Sequence, residues 1–456
     1  MFKNYLKLLI VSTLIFTLTS CSDDDDKYVP ILIEANADTA EVSQNSSITI
    51  DVLSNDINVP DNGILSAESS QNGSIEILDP NTTPDNPSDD AIRYTPNADF
   101  VETDTFQYSI CDGNNNCATG TVTVTVTPVS PVNFNLSEIP YNTLSEYNFF
   151  EGTLKDLDPV FGVLPYDLIS PLFSDYAHKK RFVWMPDGTK ANYNEDFKPL
   201  DFPVGAVLIK NFYYDNVQPT NTTRIIETRL MYFTEDGWDF AKYVWNDEQT
   251  EATFTNAGVS TNIEWIEFGQ TNTVNYRIPS RTECFTCHNK FGTPVPIGPK
   301  PQNLNRDLSY TDGTANQLQK WIDYGYLEDN LPTSIETTVK WDDESLDLGL
   351  RARSYLDINC AHCHSDESYC EYRPMRFAFN ESEDDANTGI CIPPDTQIAG
   401  TSHIVVPGDI NASVLRFRVN SIQEQNRMPI LGRTLKHSEG VRLIEQWINS
   451  LDGECE

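Results

Sequence analysis

The chain of 456 residues carries 31 Lys and Arg against 68 Asp and Glu, a formal net charge of −37. Hydrophobic residues at 39% and charged residues at 22% exclude a fibrous or wholly disordered chain and suit about three globular domains at roughly 150 residues each. The acidic balance excludes nucleic acid as a partner, because phosphate contacts need a basic surface, and favours a basic protein partner.

Residues 1–20 read as a targeting segment that stands apart from the fold. Lys3 and Lys7 make a positive start, and Leu8 to Leu18 is an apolar run too short to span a bilayer at about 20 residues. Leu18-Thr19-Ser20-Cys21 resembles the lipobox of bacterial lipoproteins, in which small residues admit the signal peptidase and the cysteine takes the lipid. The acidic run Ser22 to Asp26, within an expected linker over 21–29, resembles the export signal of surface lipoproteins in some Gram-negative bacteria. Read as a solvated linker, it leaves the protein facing the periplasm. The expectation is an outer-membrane lipoprotein anchored in the lipid membrane through Cys21.

Residues 30–128 alternate apolar and polar positions in short runs separated by Pro, Asn, Asp and Gly clusters, the pattern of a β-sandwich. In Thr121-Val122-Thr123-Val124-Thr125-Val126 the period is strictly two, so valines share one face. Cys111 and Cys117 flank a five-residue turn, which brings the sulfurs within reach of a disulfide in an oxidising compartment. The stretches Asp51–Asp56 and Tyr94–Phe100 resemble bacterial Ig-like and cadherin-like modules. That resemblance implies a spacer or adhesive unit, with Asp51 and Asp56 as candidate calcium ligands.

Residues 129–144 read as a linker. Residues 145–275 are rich in Tyr, Phe and Trp and read as strands, with Glu235-Asp236-Gly237 as a hairpin turn. Such aromatics serve either as sandwich core or as a ligand surface.

The chemistry follows residue 276. Cys284-Phe285-Thr286-Cys287-His288 and Cys360-Ala361-His362-Cys363-His364 both carry the c-type haem attachment spacing. Two thiols on one helical turn reach the two vinyl groups of a porphyrin, and the adjacent histidine supplies the proximal nitrogen to iron. The expected cofactors are therefore two haem c groups. A zinc site would place its two Cys pairs about 15–20 residues apart, whereas 72 residues separate Cys287 from Cys360.

Around the second motif, Leu346 to Ile358 and the stretch after His437 show helical periodicity. Arg427-Met428-Pro429 resembles the distal-ligand loop of cytochrome c domains, which makes Met428 the expected partner of His364. The first motif has no Met or His in its own module. Candidates for its sixth ligand are His178, Met185, Met231, Met375, His403 and His437.

Together with Leu164–Leu168, Pro171-Leu172-Phe173-Ser174-Asp175-Tyr176 and Ile297–Asn305, these motifs resemble a family of exported bacterial dihaem c-type cytochromes. The resemblance implies a multidomain chain: an Ig-like β-sandwich, an aromatic-rich β region over 145–275, and an all-α pair of cytochrome c modules over 276–340 and 341–456. It implies electron transfer with a redox partner protein. Two alternatives stand beside that: a dihaem peroxidase or oxidase acting at the first haem, and a surface-binding protein that uses the aromatic β region. Among the remaining cysteines, Cys370 is expected to pair with Cys391, leaving Cys455 as the odd thiol. Cys21→Ala is expected to release the protein from the membrane or block its processing; a mutant that still fractionates with membranes would refute the anchor.

Overall fold

The computed structural model describes residues 32–456, so Cys21 and the acidic run after it lie outside the described residues. The chain divides into two compact units, one ending at Pro128 and the other running from Val129 to Glu456. Among the described residues no helix is long and apolar enough to cross a membrane.

Among the described residues the first unit has seven strands: β1 (Asp38–Ser43), β2 (Ile48–Ile50), β3 (Gly63–Ala67), β4 (Gly73–Leu78), β5 (Ala91–Pro96), β6 (Glu102–Asp112) and β7 (Cys117–Thr127). They form a four-stranded sheet ordered β1-β7-β6-β3 and a three-stranded sheet ordered β2-β5-β4. Val122, Val124 and Val126 point into the shared core with Tyr94, Phe106 and Tyr108, as the alternation requires. Asp56, a calcium candidate, is already engaged: it accepts from the Tyr108 hydroxyl at 2.8 Å and from the Asn36 N–H at 2.7 Å. It serves here as an acceptor for a buried hydroxyl.

In the second unit a short ribbon, β8 (Phe150–Glu151) with β9 (Asp158–Pro159), precedes an antiparallel eight-stranded sheet. Its strands are β10 (Leu164–Tyr166), β11 (His178–Trp184), β12 (Val207–Val217), β13 (Thr222–Thr234), β14 (Gly237–Trp245), β15 (Ala252–Phe254), β16 (Val259–Glu267) and β17 (Gln270–Ile278). Strands β10 to β15 follow in sequence order, and β16 joins the end of β12 and pairs with β17. One face of β11–β14 packs Phe182, Trp184, Val207, Ile209, Leu230, Tyr232 and Tyr243 against Tyr147 and Phe149. Tyr141 and Leu144, placed in a linker by the sequence reading, belong to this same core. The other face presents Val183, Leu208, Met231 and Phe240 to Leu304, Leu318 and Trp321.

The expected all-α pair of cytochrome c modules is not what forms. The second half of this unit holds short helices among loops: α1 (Arg281–Cys287), α2 (Pro301–Leu304), α3 (Gln317–Asp323), α4 (Leu348–Leu356), α5 (Asp385–Thr388), α6 (Val414–Asn420) and α7 (Ser438–Ser450). Two small hairpins, β18 (Asn289–Lys290) with β19 (Thr293–Pro294) and β20 (Asp307–Tyr310) with β21 (Gly313–Asn316), interrupt them. The physical reason is visible in α3. Its buried residues Leu318 and Trp321 dock on the β-sheet face, so the sheet supplies the apolar wall that a helical module would build from its own helices. Helices α4 and α7 pack on one another through Ala352, Tyr355, Leu356, Val441, Ile444 and Trp447, and α6 joins them with Leu415 and Val419. Gly440 lets α4 and α7 approach, because a Cβ there would overlap the Tyr355 hydroxyl. Gly440→Val is expected to destabilise the unit by about 1–3 kcal/mol through overpacking, read as a lowered urea midpoint.

Candidate functional site

Ser280 caps α1. Its hydroxyl accepts from the Glu283 N–H while the Glu283 carboxylate accepts from the Ser280 N–H at 2.7 Å, a reciprocal pair that fixes where the helix begins. Cys284 and Cys287 then fall one turn apart, and the His288 N–H donates to the Cys284 carbonyl at 3.0 Å. In the second motif Asp347 caps α4 by accepting from the Leu350 N–H at 2.9 Å. The helix runs into a wider turn over Asp357–Ala361, and the His364 N–H donates to the Cys360 carbonyl at 2.9 Å. Both motifs thus close with the same backbone bond.

The two turns abut. A sulfur of Cys287, a sulfur of Cys363 and a ring nitrogen of His362 all lie within 4.8 Å of one another. Cys284 and Cys360 stand outside that group, so among the described residues the four thiols do not converge as a closed tetrahedral zinc site requires. All four are free of disulfides.

His288 sits on the second face of the sheet, with Phe240 at 5.4 Å between ring centroids. Its Nδ1 lies 2.8 Å from the Val295 carbonyl, so Nδ1 carries the proton and Nε2 keeps its lone pair. Burial pulls its pKa down to about 3, which holds the ring neutral. It lines a cavity of about 70 Å³ with Cys284, Lys210, Met231 and Phe240. His364 is 8% exposed and its Nδ1 has no hydrogen-bond partner. Burial first, and nearby cations second, pull its pKa down to about 4. It lines a larger cavity of about 370 Å³ with Cys360, Cys363, Cys370, Met375 and Met428.

The Met428 segment is held by two buried charges. Arg433 donates to the Met428 carbonyl at 2.7 Å and to the Ser421 carbonyl at 2.9 Å. Asp175, on the loop before β11, accepts from the Thr434 N–H and hydroxyl and from the Leu435 N–H at 2.7–2.9 Å. Sequence reasoning quoted Asp175 inside a motif and gave it no role.

The structure brings Cys284 and His288 to one cavity, whereas Cys287 joins Cys360, Cys363, His364 and Met428 around the other. Of the candidate sixth ligands, Met231 reaches the first cavity and Met375 the second. Met185 is buried in the core. His178 is exposed near Asp215, and His403 is half-buried beside the Ser402 hydroxyl. His437 is engaged: its Nδ1 pairs with the Tyr355 hydroxyl at 3.0 Å and its ring stacks on Phe173 at 4.0 Å.

Cys111 and Cys117 form a disulfide between facing positions of β6 and β7. The expected Cys370–Cys391 bridge is corrected. Cys391 bonds to Cys455, 64 positions away, and Cys370 is a buried free thiol. The chain after α7 returns to the loop that holds Cys391, a proximity set by tertiary packing.

Residues 27–125 match the family described as bacterial Ig domain. Among curated proteins no sequence matches the chain. Similar solved structures include a Photobacterium 2,6-sialyltransferase, at 11% identity over 23% of this chain and 21% of that one, with a TM-score of 0.15. A protocadherin gamma B7 ectodomain aligns at 8% identity over 54% of this chain and 76% of its own, with a TM-score of 0.18. SGBP-B of the Bacteroides ovatus mixed-linkage glucan utilization locus, solved with a heptasaccharide, aligns at 11% identity over 61% and 64%, with a TM-score of 0.14. The chain thus spans about a fifth of the sialyltransferase's length, and TM-scores this low carry no argument.

Asp175→Ala leaves two backbone N–H groups without their acceptor. It is expected to cost about 3 kcal/mol and to raise hydrogen exchange at Thr434 and Leu435 before exchange rises elsewhere.

Proposed function

We propose that the second unit binds two c-type haems, one on each Cys-x-x-Cys-His turn, and that the protein carries electrons. One observation carries this reading: both turns close with the same backbone bond and present a buried, neutral histidine to a cavity beside free thiols. Iron porphyrin bound there would supply a one-electron couple.

The chain's residues fit the group. Cys284 with Cys287, and Cys360 with Cys363, would hold it covalently, and His288 and His364 would each offer a ring nitrogen to the iron. The Val295 carbonyl orients His288 through Nδ1, the outer-shell contact that fixes a ligating ring. Met428 shares the larger cavity with His364 and offers a soft thioether. Phe377, Ile404 and Leu415 in the same wall keep water out. Cys21 would anchor the chain in the outer membrane, the Ig-like unit would act as a spacer, and the negative charge would suit a basic redox partner.

A second reading rests on Cys287, His362 and Cys363. Three donors within 4.8 Å can hold a soft ion such as zinc with one position open. Elemental analysis beside a pyridine haemochrome spectrum separates the readings: two haems and no zinc supports the first, zinc without haem the second.

Met428→Ala is expected to abolish the near-infrared sulfur–iron band and to lower one of two resolved reduction potentials. A wild type that titrates as two identical centres, or a mutant with unchanged spectra, would overturn the ligand assignment.

A further inference from the structure

Arg181, Lys210, Arg229 and Lys242 stand directly opposite one another on the four consecutive strands β11 to β14. Directly paired residues share a face of the sheet. The result is a row of four cations across one face, in a chain of net charge −37. Like charges at facing positions destabilise a sheet, so the row needs anions or carbonyls over it.

Three of the four have them. Arg181 pairs with Asp167 at 2.6 Å, and Arg229 pairs with buried Glu227 at 2.5 Å. Lys242 donates to the Ala257 and Pro279 carbonyls at 2.5 and 2.9 Å. Among the described residues Lys210 has no hydrogen bond or ion pair, and its ammonium lies 4.9 Å from the Phe212 ring centre. Burial first, then the neighbouring cations Arg181, Lys179 and Arg229, work against its charge, and Glu227 offsets them only in part. Arg229 uses Nε and Nη2 on Glu227, so its Nη1 is not taken by that pair.

Lys210 and Arg229 line both the cavity beside His288 and the space between the two Cys-x-x-Cys-His turns. Above and below them on the same face lie Leu208, Met231 and Phe240 on one side and Phe212 on the other. Glu227, opposite Phe212, is the nearest carboxylate, but it is held by Arg229 and the Tyr276 hydroxyl. A cation with no direct partner, bordered by Leu208, Met231 and Phe240 and facing a cavity, calls for an anionic group on an otherwise apolar ligand. Resting on the haem reading, we propose that Lys210 and Arg229 form a carboxylate seat beside the first turn. The same chemistry has two sources: a propionate of the porphyrin, or a free dicarboxylate.

The test uses full-length protein with Lys210→Met and Lys210→Arg, after a pyridine haemochrome count. If a propionate fills the seat, Lys210→Met lowers one of two reduction potentials, Lys210→Arg restores it, and added succinate changes neither. It also lowers the melting temperature, because a carboxylate loses its partner. If a free dicarboxylate fills it, wild type binds succinate at one site by calorimetry, Lys210→Arg keeps the site, and Lys210→Met weakens it by about tenfold or more. The proposal is overturned if Lys210→Met leaves potentials and succinate binding unchanged, or raises the melting temperature as removal of an unpaired buried charge would. A wild type that holds no haem refutes the haem reading alone, and its succinate titration then decides the seat. Should Lys210→Met fail to fold, Lys210→Gln takes its place with the same outcomes expected for and against the seat.

Discussion

A buried carboxylate, Asp175, ties the sheet to the segment that carries Met428. It is 2% exposed and has its backbone in the left-handed region, at φ 50°. A charge so placed must be met by donors, and those donors come from Thr434 and Leu435, about 260 positions on. The residues around it do the same for the other C-terminal segments. The Ile169 N–H donates to the Asn303 carbonyl, and the Ser170 N–H to the Asn303 side chain at 2.9 Å. The Phe173 N–H donates to the side chain of Asn359, next to the second motif, at 2.9 Å. The Tyr176 hydroxyl donates to Glu439 at the start of α7 at 2.9 Å. One irregular stretch of eight residues, Ile169–Tyr176, therefore holds four C-terminal segments, among them the one that enters the second Cys-x-x-Cys-His turn.

The sheet then sets the character of the site. Its first face is closed by an aromatic core, which includes the hydroxyl pair Tyr147–Tyr243 at 2.7 Å. These rings are buried by the sheet's own packing. Its second face runs from the apolar row Val183, Leu208, Met231 and Phe240 to the cationic row beside it, and the first motif lies over it. Burial there keeps His288 neutral, and burial beside Phe377 does the same for His364, the state in which an imidazole can donate a lone pair. With this wall in place, the C-terminal segments need little helix of their own.

The Ig-like unit follows a simpler logic. Its core is built from alternating residues of two sheets, and its disulfide joins facing residues of one hairpin. Its turns are stabilised locally: Asp112 accepts from the Asn114 N–H at 2.8 Å and from the Asn116 N–H at 2.9 Å.

What the sequence determined by itself was local. Alternation in Thr121–Val126, the thiol–thiol–imidazole spacing within five residues, and the Cys111–Cys117 pair across a short turn all act over a few positions, where chain geometry leaves few choices. Helices also formed at α4 and α7, where apolar residues recur every three or four positions. The tertiary structure decided the rest. Whether Trp321 packs on a helix or on a sheet depends on which apolar surface is nearest after folding. The Cys391–Cys455 bridge depends on where the chain returns after α7. The row Arg181–Lys210–Arg229–Lys242 exists only in the register of four strands, and no single segment of sequence contains it.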